Sequence, residues 1–314
     1  MREEIVRIVQ WDVANAGDLA QTYSEQVAGV PHCYPVSPDE FEAGFPFPYH
    51  KYTFRDYSED IHSEKLIVGE QNGRIIGFAD IALAEIVEKG RREYRGFIRF
   101  FTYQPGYRSV GQAILEEAEK SLRDSGMDQI SAFRLNFRND HCGYRFYHVG
   151  YGMVSDRLGH ICTLLYMNGY KPNGGEIFLN QPNYSVAEPV LPDGRVEIAV
   201  EEEAPENALL PGLSVKAFRS GKEIGFCEST SVGEFCRADK AQDWVFVSGL
   251  DVVESEQGKG MGRYLLQRNL WEMRKIRYKN TVISNDWRNY RALLFYANYG
   301  YRLADTNYEF VKKI

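Results

Sequence analysis

The stretch Val252–Gly262, V-V-E-S-E-Q-G-K-G-M-G, decides how the rest of the chain is read. Upstream, Trp244 to Val253 is rich in β-branched and aromatic residues, the composition of a strand. Downstream, Gly262 opens R-Y-L-L-Q-R-N-L-W-E-M, which has the apolar spacing of a helix. The pattern therefore predicts a strand, a glycine-rich turn and a helix. The first N–H groups of a helix have no intrahelical partner and the helix dipole adds positive potential, so this turn reads as an anion site. Gly260 and Gly262 let a phosphate approach the main chain closely. The spacing is neither the Walker nor the dinucleotide pattern, and its meaning comes from what surrounds it.

The same shape occurs earlier in the chain. Arg108-Ser-Val-Gly111-Gln-Ala113 matches Gln257-Gly-Lys-Gly260-Met-Gly262 at an offset of 257 − 108 = 149. Each is followed by a predicted helix (Ala113 to Leu122; Gly262 to Ile276) and a predicted strand (Gln129 to Leu135; Thr281 to Ser284). An Asn-headed segment comes next: Asn139 to Tyr151 in one half, Asn289 to Tyr301 in the other, offset by 150. Gly73-R-I-I-Gly77-Phe78 answers Gly221-K-E-I-Gly225-Phe226 at 148. Four markers in one order at nearly one spacing indicate two similar domains in tandem, 1–170 and 171–314. The turn cluster Gly169 to Gly175 reads as the link. Upstream, strand Ile5 to Trp11, helix Ala14 to Val27, a short helix capped by Ser37 before Pro38, and a hairpin turning at Asn72-Gly73 are expected. Between Asn183 and Gly212 only one strand, Gly194 to Val200, is legible, so the second half is expected to lack the entry helices of the first.

With 314 residues there is room for two cores. The formal charge of −7, with no block of Lys and Arg, argues against nucleic acid or an anionic membrane as partner. Five cysteines without a C-x-x-C pair, a start lacking a signal-peptide pattern, and no apolar run of membrane-spanning length point to a reduced, cytoplasmic protein. The V-P-H-C run at Val30 to Cys33 has no further ligand spacing, and no metal is expected.

Strand, anion-binding turn, helix, strand, Asn-headed helix with a tyrosine, then Gly-aromatic: this order resembles the GNAT acyltransferase superfamily. In that family Q/R-x-x-G-x-G/A holds the pyrophosphate of acetyl-CoA, and N-x-x-A-x(3)-Y-x(3)-G-F/Y carries the general acid. The resemblance implies two mixed α/β domains, each a twisted, mostly antiparallel sheet flanked by helices. It implies a phosphate cradle at Gln257, Gly258, Lys259, Gly260, Met261, Gly262 and Arg263, a cofactor-arm contact at Asn289, and the general acid at Tyr296. It also puts a one-donor oxyanion site at the N–H of Val252. The expected reaction is direct attack of a primary amine, on a small molecule or a peptide, upon acetyl-CoA, with Tyr296 protonating the departing thiolate. Without the family pattern, Tyr296 reads as a core tyrosine.

The base is less determined. All six histidines lie in the first half, and Asp251, Glu254 and Glu228 are the carboxylate candidates of the second. Each also reads as a solvated surface charge. Asp80 answers Glu228 at the 148 offset. In the first half, Arg108, Gly111 and Ala113 keep the phosphate pattern, but Phe146 stands where Tyr296 does, with Tyr147 one residue on. The first domain is therefore expected to bind CoA without catalysing, or to serve as a scaffold, unless Tyr147 takes over. An acyl-CoA-binding regulatory protein without turnover is the reading from another class.

Overall fold

A computed structural model of the chain describes residues 5–9, 16–43, 51–54, 57–133 and 153–314. The described residues form two compact units: Met1–Glu176 with Asp305–Ile314, and Ile177–Ala304.

The first unit begins with β1 (Ile5–Val9), α1 (Ala16–Val27) and α2 (Pro38–Ala43). The cap of α2 is reciprocal, since Glu40 N–H donates to Ser37 Oγ (3.2 Å) and Ser37 N–H to Glu40 Oε2 (2.8 Å). Strands β2 (Lys51–Phe54), β3 (Tyr57–Gln71), β4 (Arg74–Glu88) and β5 (Arg91–Tyr103) follow. The β3–β4 turn is Asn72-Gly73 with both φ positive (55° and 76°), the mirror-image turn whose twist suits a hairpin. Next come α3 (Arg108–Asp124), β6 (Gln129–Ala132), β7 (Val154–Ser155), α4 (Gly159–Met167) and the start of β8 (Lys171–Gln181). The stretch expected to be a link is thus mostly strand. Gly169 turns the chain at φ 84°, but the other glycines serve close packing: a Cβ on Gly174 would lie 2.9 Å from Glu309 Oε1.

The second unit contains β9 (Glu197–Glu203), β10 (Gly212–Arg219), β11 (Lys222–Ser231), α5 (Asp239–Gln242), β12 (Trp244–Val252), α6 (Met261–Ile276), β13 (Asn280–Asp286) and α7 (Tyr290–Ala297). No helix stands between β9 and β10, as the sequence predicts. The last strand, β14 (Arg302–Lys313), starts in the second unit, but its residues from Asp305 onward belong to the first. There Phe310–Lys313 pair antiparallel with β6, and Lys312 Nζ bonds both oxygens of Glu119 at 2.7 Å.

Strand order is β1-β3-β4-β5-β6-β14 in the first unit and β8-β13-β12-β11-β10-β9 in the second. β5–β6 and β12–β13 are parallel, while β1–β3, β3–β4, β4–β5, β6–β14, β9–β10, β10–β11 and β11–β12 are antiparallel. Each unit has its own apolar core, around Phe78, Phe101, Ile114 and Leu115 in one and Val215, Val245, Leu265 and Leu266 in the other.

The repeat extends to irregularities of the ladder. β4–β5 slips between Asp80 and Ile81, whose partners are Phe100 and Ile98, leaving Arg99 as the extra residue. β11–β12 slips between Glu228 and Ser229, whose partners are Gly249 and Val247, leaving Ser248. The bulged residues are 248 − 99 = 149 apart, the spacing of the glycine turns. A β-bulge bends its strand, and in the second unit the parallel partner is lost at that point: β12 pairs with β13 only through Val247, although β12 runs on to Val252.

Candidate functional site

The free edge of β12 is where the site begins. Val253 N–H reaches Ile224 O on β11 at 3.0 Å. One residue earlier in an extended strand the N–H points the opposite way, so that of Val252 faces the edge that β13 no longer covers. Its hydrogen bond there is to Asp251 Oδ1, at 2.9 Å. The expected oxyanion donor is therefore on the open edge, engaged by the carboxylate beside it, and Asp251 caps a backbone group with its exposed side chain.

Beyond β12 the chain makes a 3-10 turn over Glu254–Glu256 and then the glycine turn, with φ 75° at Gly258 and 87° at Gly260. A side chain at either would be strained by the left-handed backbone. It would meet nothing within 4 Å at Gly258 and only Pro192 Cβ, at 3.8 Å, at Gly260. The main chain is thus approachable here. Gln257 lies outside the turn's face, its Nε2 donating to Val252 O at 2.8 Å and tying the turn to the strand end. Helix α6 has no side-chain N-cap and no acidic residue in its first turn. The leading amides, those of Met261, Gly262 and Arg263, are what the turn offers an anion. Met261 contributes only backbone, because its side chain is buried in the core. Lys259 Nζ pairs with Glu256 Oε2 at 3.3 Å, and the Arg263 guanidinium lies 5.9 Å from the Tyr299 ring centre. An open glycine backbone, uncapped amides and two cations fit the pyrophosphate of a coenzyme A.

Tyr296 is the one fully buried side chain of α7. Its ring packs 5.9 Å from that of Tyr301, whose hydroxyl bonds Thr281 Oγ1 on β13 at 2.9 Å. Among the described residues none hydrogen-bonds the Tyr296 hydroxyl. Burial, and then the neighbouring Cys227 thiol on β11, raise its pKa. Its surroundings in the second core are the Tyr301 ring and the Cys227 thiol. Asn289 caps α7, its Oδ1 accepting Ala292 N–H at 3.2 Å, and its own carbonyl accepts Asn285 Nδ2 at 3.1 Å.

Glu228 follows Cys227 along β11, so the two face opposite sides of the sheet. Cys227 and Ser229 face α6: Asn269 of that helix donates Nδ2 to Cys227 O at 3.1 Å and accepts from Ser229 Oγ. Glu228 is accordingly on the far face, half-exposed, and a Cβ at its partner Gly249 would lie 3.6 Å from Oε2. Glu228 therefore stands beside the bulge, opposite Gly249, on the face away from α6. The bulge at Ser248 and the bare Gly249 carry no motif; a lone glycine in a strand was the only signal.

The first unit repeats the frame with different contents. Arg108 is exposed at the start of α3, which also lacks a side-chain N-cap. Gly111 is buried: a Cβ there would sit 2.5 Å from the Tyr103 ring, so its smallness admits that ring. Ala113 is half-buried. The Asn139–Tyr151 segment, with Cys142, Phe146 and Tyr147, lies outside the described residues, as do His50, His141 and His148. At the bulge, Arg99 is buried with Glu64, which it bonds, and Asp80, 3.7 Å from its Nη1. Burial first, then the charge of Glu64, push the Asp80 carboxyl well above the ordinary range, against the pull of Arg99.

Residues 33–151 match the family model described as Acetyltransferase (GNAT) family. No curated protein sequence matches the chain. Among solved structures, a tandem GNAT protein from the clavulanic acid biosynthesis pathway aligns over 99% of this chain and 98% of its own, at 11% identity and TM-score 0.65. A GCN5-related N-acetyltransferase from Sphaerobacter thermophilus aligns over 99% and 95%, at 13% identity and TM-score 0.58. The glucosamine N-acetyltransferase region of a fungal multi-domain β-N-acetylglucosaminidase aligns over 99% of this chain and 38% of that one, at 14% identity and TM-score 0.64. At these identities the structures speak for the fold, while the family model speaks for the first unit's sequence. The chain thus carries a segment in its first half that matches the GNAT family model, and over its whole length it has the tandem GNAT fold.

Proposed function

We propose that the chain transfers an acetyl group from acetyl-CoA to a primary amine and that its second unit does the chemistry. The reading rests on Tyr296: a buried phenol whose hydroxyl bonds none of the described residues, in the same apolar core as Val252 at the strand end and Met261 at the start of the helix that follows the glycine turn. The amides of Met261, Gly262 and Arg263, with Lys259, would hold the pyrophosphate, and Gln257 keeps the turn against β12. Acetyl-CoA supplies a thioester, an acyl group on a competent leaving thiolate. Tyr296, kept protonated by its burial, donates to that sulfur as the C–S bond breaks. Glu228, on the face away from α6, takes the proton the amine loses on forming the amide. Val252 N–H polarises the acyl oxygen once Asp251 has released it. Acceptors within this reading are small molecules or peptides carrying a primary amine.

The engagement of Val252 N–H by Asp251 favours the second reading, an acyl-CoA binder without turnover. The two separate in one assay, in which thiol release from acetyl-CoA is followed with a panel of amines alongside CoA binding by calorimetry. Amine-dependent release supports the transferase. Tight CoA binding with no release for any amine supports the binder.

A further inference from the structure

The glycine turn of the second unit is ringed by charged side chains that its motif does not include. Pro192, in the loop between β8 and β9, is the nearest neighbour of Gly260. The next residue, Asp193, accepts from Arg195 (Nε 3.0 Å, Nη2 3.0 Å) and from Arg219 Nη1 (2.9 Å). Arg219, the last residue of β10, also reaches both oxygens of Glu256, with Nη2 to Oε2 and Nε to Oε1 each 3.2 Å. Glu256 in turn holds Lys259, the cation of the turn itself. The order is thus Arg195, Asp193, Arg219, Glu256, Lys259: three cations joined by two carboxylates.

Glu256 is the odd member, since only 9% of it is exposed. A buried carboxylate immediately before an anion-binding turn opposes an incoming phosphate. Burial raises its pKa, but the hydrogen bonds from Arg219 and Lys259 outweigh this and hold it below the ordinary value, so it is ionised at neutral pH. A guanidinium that donates from Nη1 to one carboxylate and from Nη2 to another can donate to phosphate oxygens in the same way. Among the described residues, no other arginine beside this turn is held by two acids at once.

We propose that Arg219 is a phosphate-binding residue of this site and that Asp193 and Glu256 stand in for the phosphates of coenzyme A while none is there. The ligand then competes with two built-in carboxylates for Arg219 and Lys259. This rests on the reading of the glycine turn as a CoA site, and it adds a sign that reading alone does not give: removing an acid beside the turn tightens binding.

The test is calorimetric titration of the full chain with coenzyme A and with dephospho-CoA, with thermal melts to establish folding. Glu256→Gln is expected to tighten CoA binding about two- to fivefold, the scale of a partly exposed charge pair, and Asp193→Asn to shift it the same way. Arg219→Ala is expected to weaken it roughly tenfold, as loss of a hydrogen bond to a charged group does. A gain shared by dephospho-CoA assigns Arg219 to the pyrophosphate, and a gain confined to CoA assigns it to the 3′-phosphate. A folded Glu256→Gln protein that binds CoA no more tightly than the parent, or an Arg219→Ala protein that binds as well, overturns the proposal. If Glu256→Gln does not fold, Asp193→Asn carries the same sign test. Failure of the parent chain to bind CoA at all would instead remove the site on which the proposal rests, a result distinct from binding that the substitutions leave unmoved.

Discussion

Tyr296 sits in the last turn of α7, where burial and the Cys227 thiol both favour its neutral form. Its raised pKa keeps the proton available as a general acid across the neutral range. Thiol release should accordingly show no falling limb from this group below about pH 10, the ordinary tyrosine value. The same shift has a stability sign. The folded value lies above the unfolded one, so the contribution is intact below about pH 10 and is lost as pH rises through the folded value. Melting temperatures between about pH 9 and 11 should fall less steeply in Tyr296→Phe than in the parent. In the proposed reaction Glu228 acts on the other reactant. Glu228→Gln should lower kcat about a hundredfold, the scale of a lost general base, with CoA affinity unchanged by calorimetry. An unchanged kcat would return Glu228 to the solvated surface and leave the amine to lose its proton to water.

Elements repeat more faithfully than residues do. The bulge and the uncapped helix recur in both units, yet the glycines of the two motifs do different work. Gly111 is covered by the Tyr103 ring, so Gly111→Ala should cost about 1–3 kcal/mol as overpacking. At Gly262 an added Cβ would lie 3.6 Å from Val252 Cγ2, an ordinary contact. Gly262→Ala should keep the fold and add about 0.5–1 kcal/mol through helix propensity, and the matching position in the first half is already Ala113. Denaturant melts of the two variants should shift in opposite directions. The buried Glu64–Arg99–Asp80 group at the first bulge gives a further prediction. Removing its cation by Arg99→Met should cost about 3–5 kcal/mol at neutral pH. The cost should shrink on acidification, because the raised Asp80 carboxyl takes up a proton and its charge no longer needs a partner. In the parent, this group's stabilising contribution is present below the ordinary aspartate value and is lost as pH rises through the raised one. A cost independent of pH would contradict this.

At the scale of the molecule, the tandem repeat and the absence of entry helices in the second half were legible because glycine turns and helix spacing are local signals. Asn72-Gly73, Ser37 with Glu40 and the turn at Gly258 and Gly260 behave as their local chemistry requires, whereas Gly111 lies inside α3 under the Tyr103 ring. What was not legible was set by partners distant in sequence. The Gly169 to Gly175 stretch looks like a turn cluster, but Gly174 lies in β8, where the side chain of Glu309, 135 residues further on (309 − 174), packs against it. Nothing in the sequence of β14 says that Phe310–Lys313 pair with β6. Asp251 looks like a free carboxylate until the edge of β12 is seen to expose the Val252 N–H. The acid-bound Arg219 likewise carries no motif. The site is thus read from sequence as a set of candidates, and the bulge at Ser248, which frees the end of β12 from its parallel partner, has no local signature beyond Gly249. The division of labour between the units is tested most directly by amine-dependent thiol release from acetyl-CoA, measured for the parent and for Tyr296→Phe with CoA affinity determined in parallel. The account predicts a fall in kcat of about a hundredfold or more with CoA affinity unchanged; full activity in Tyr296→Phe would contradict it.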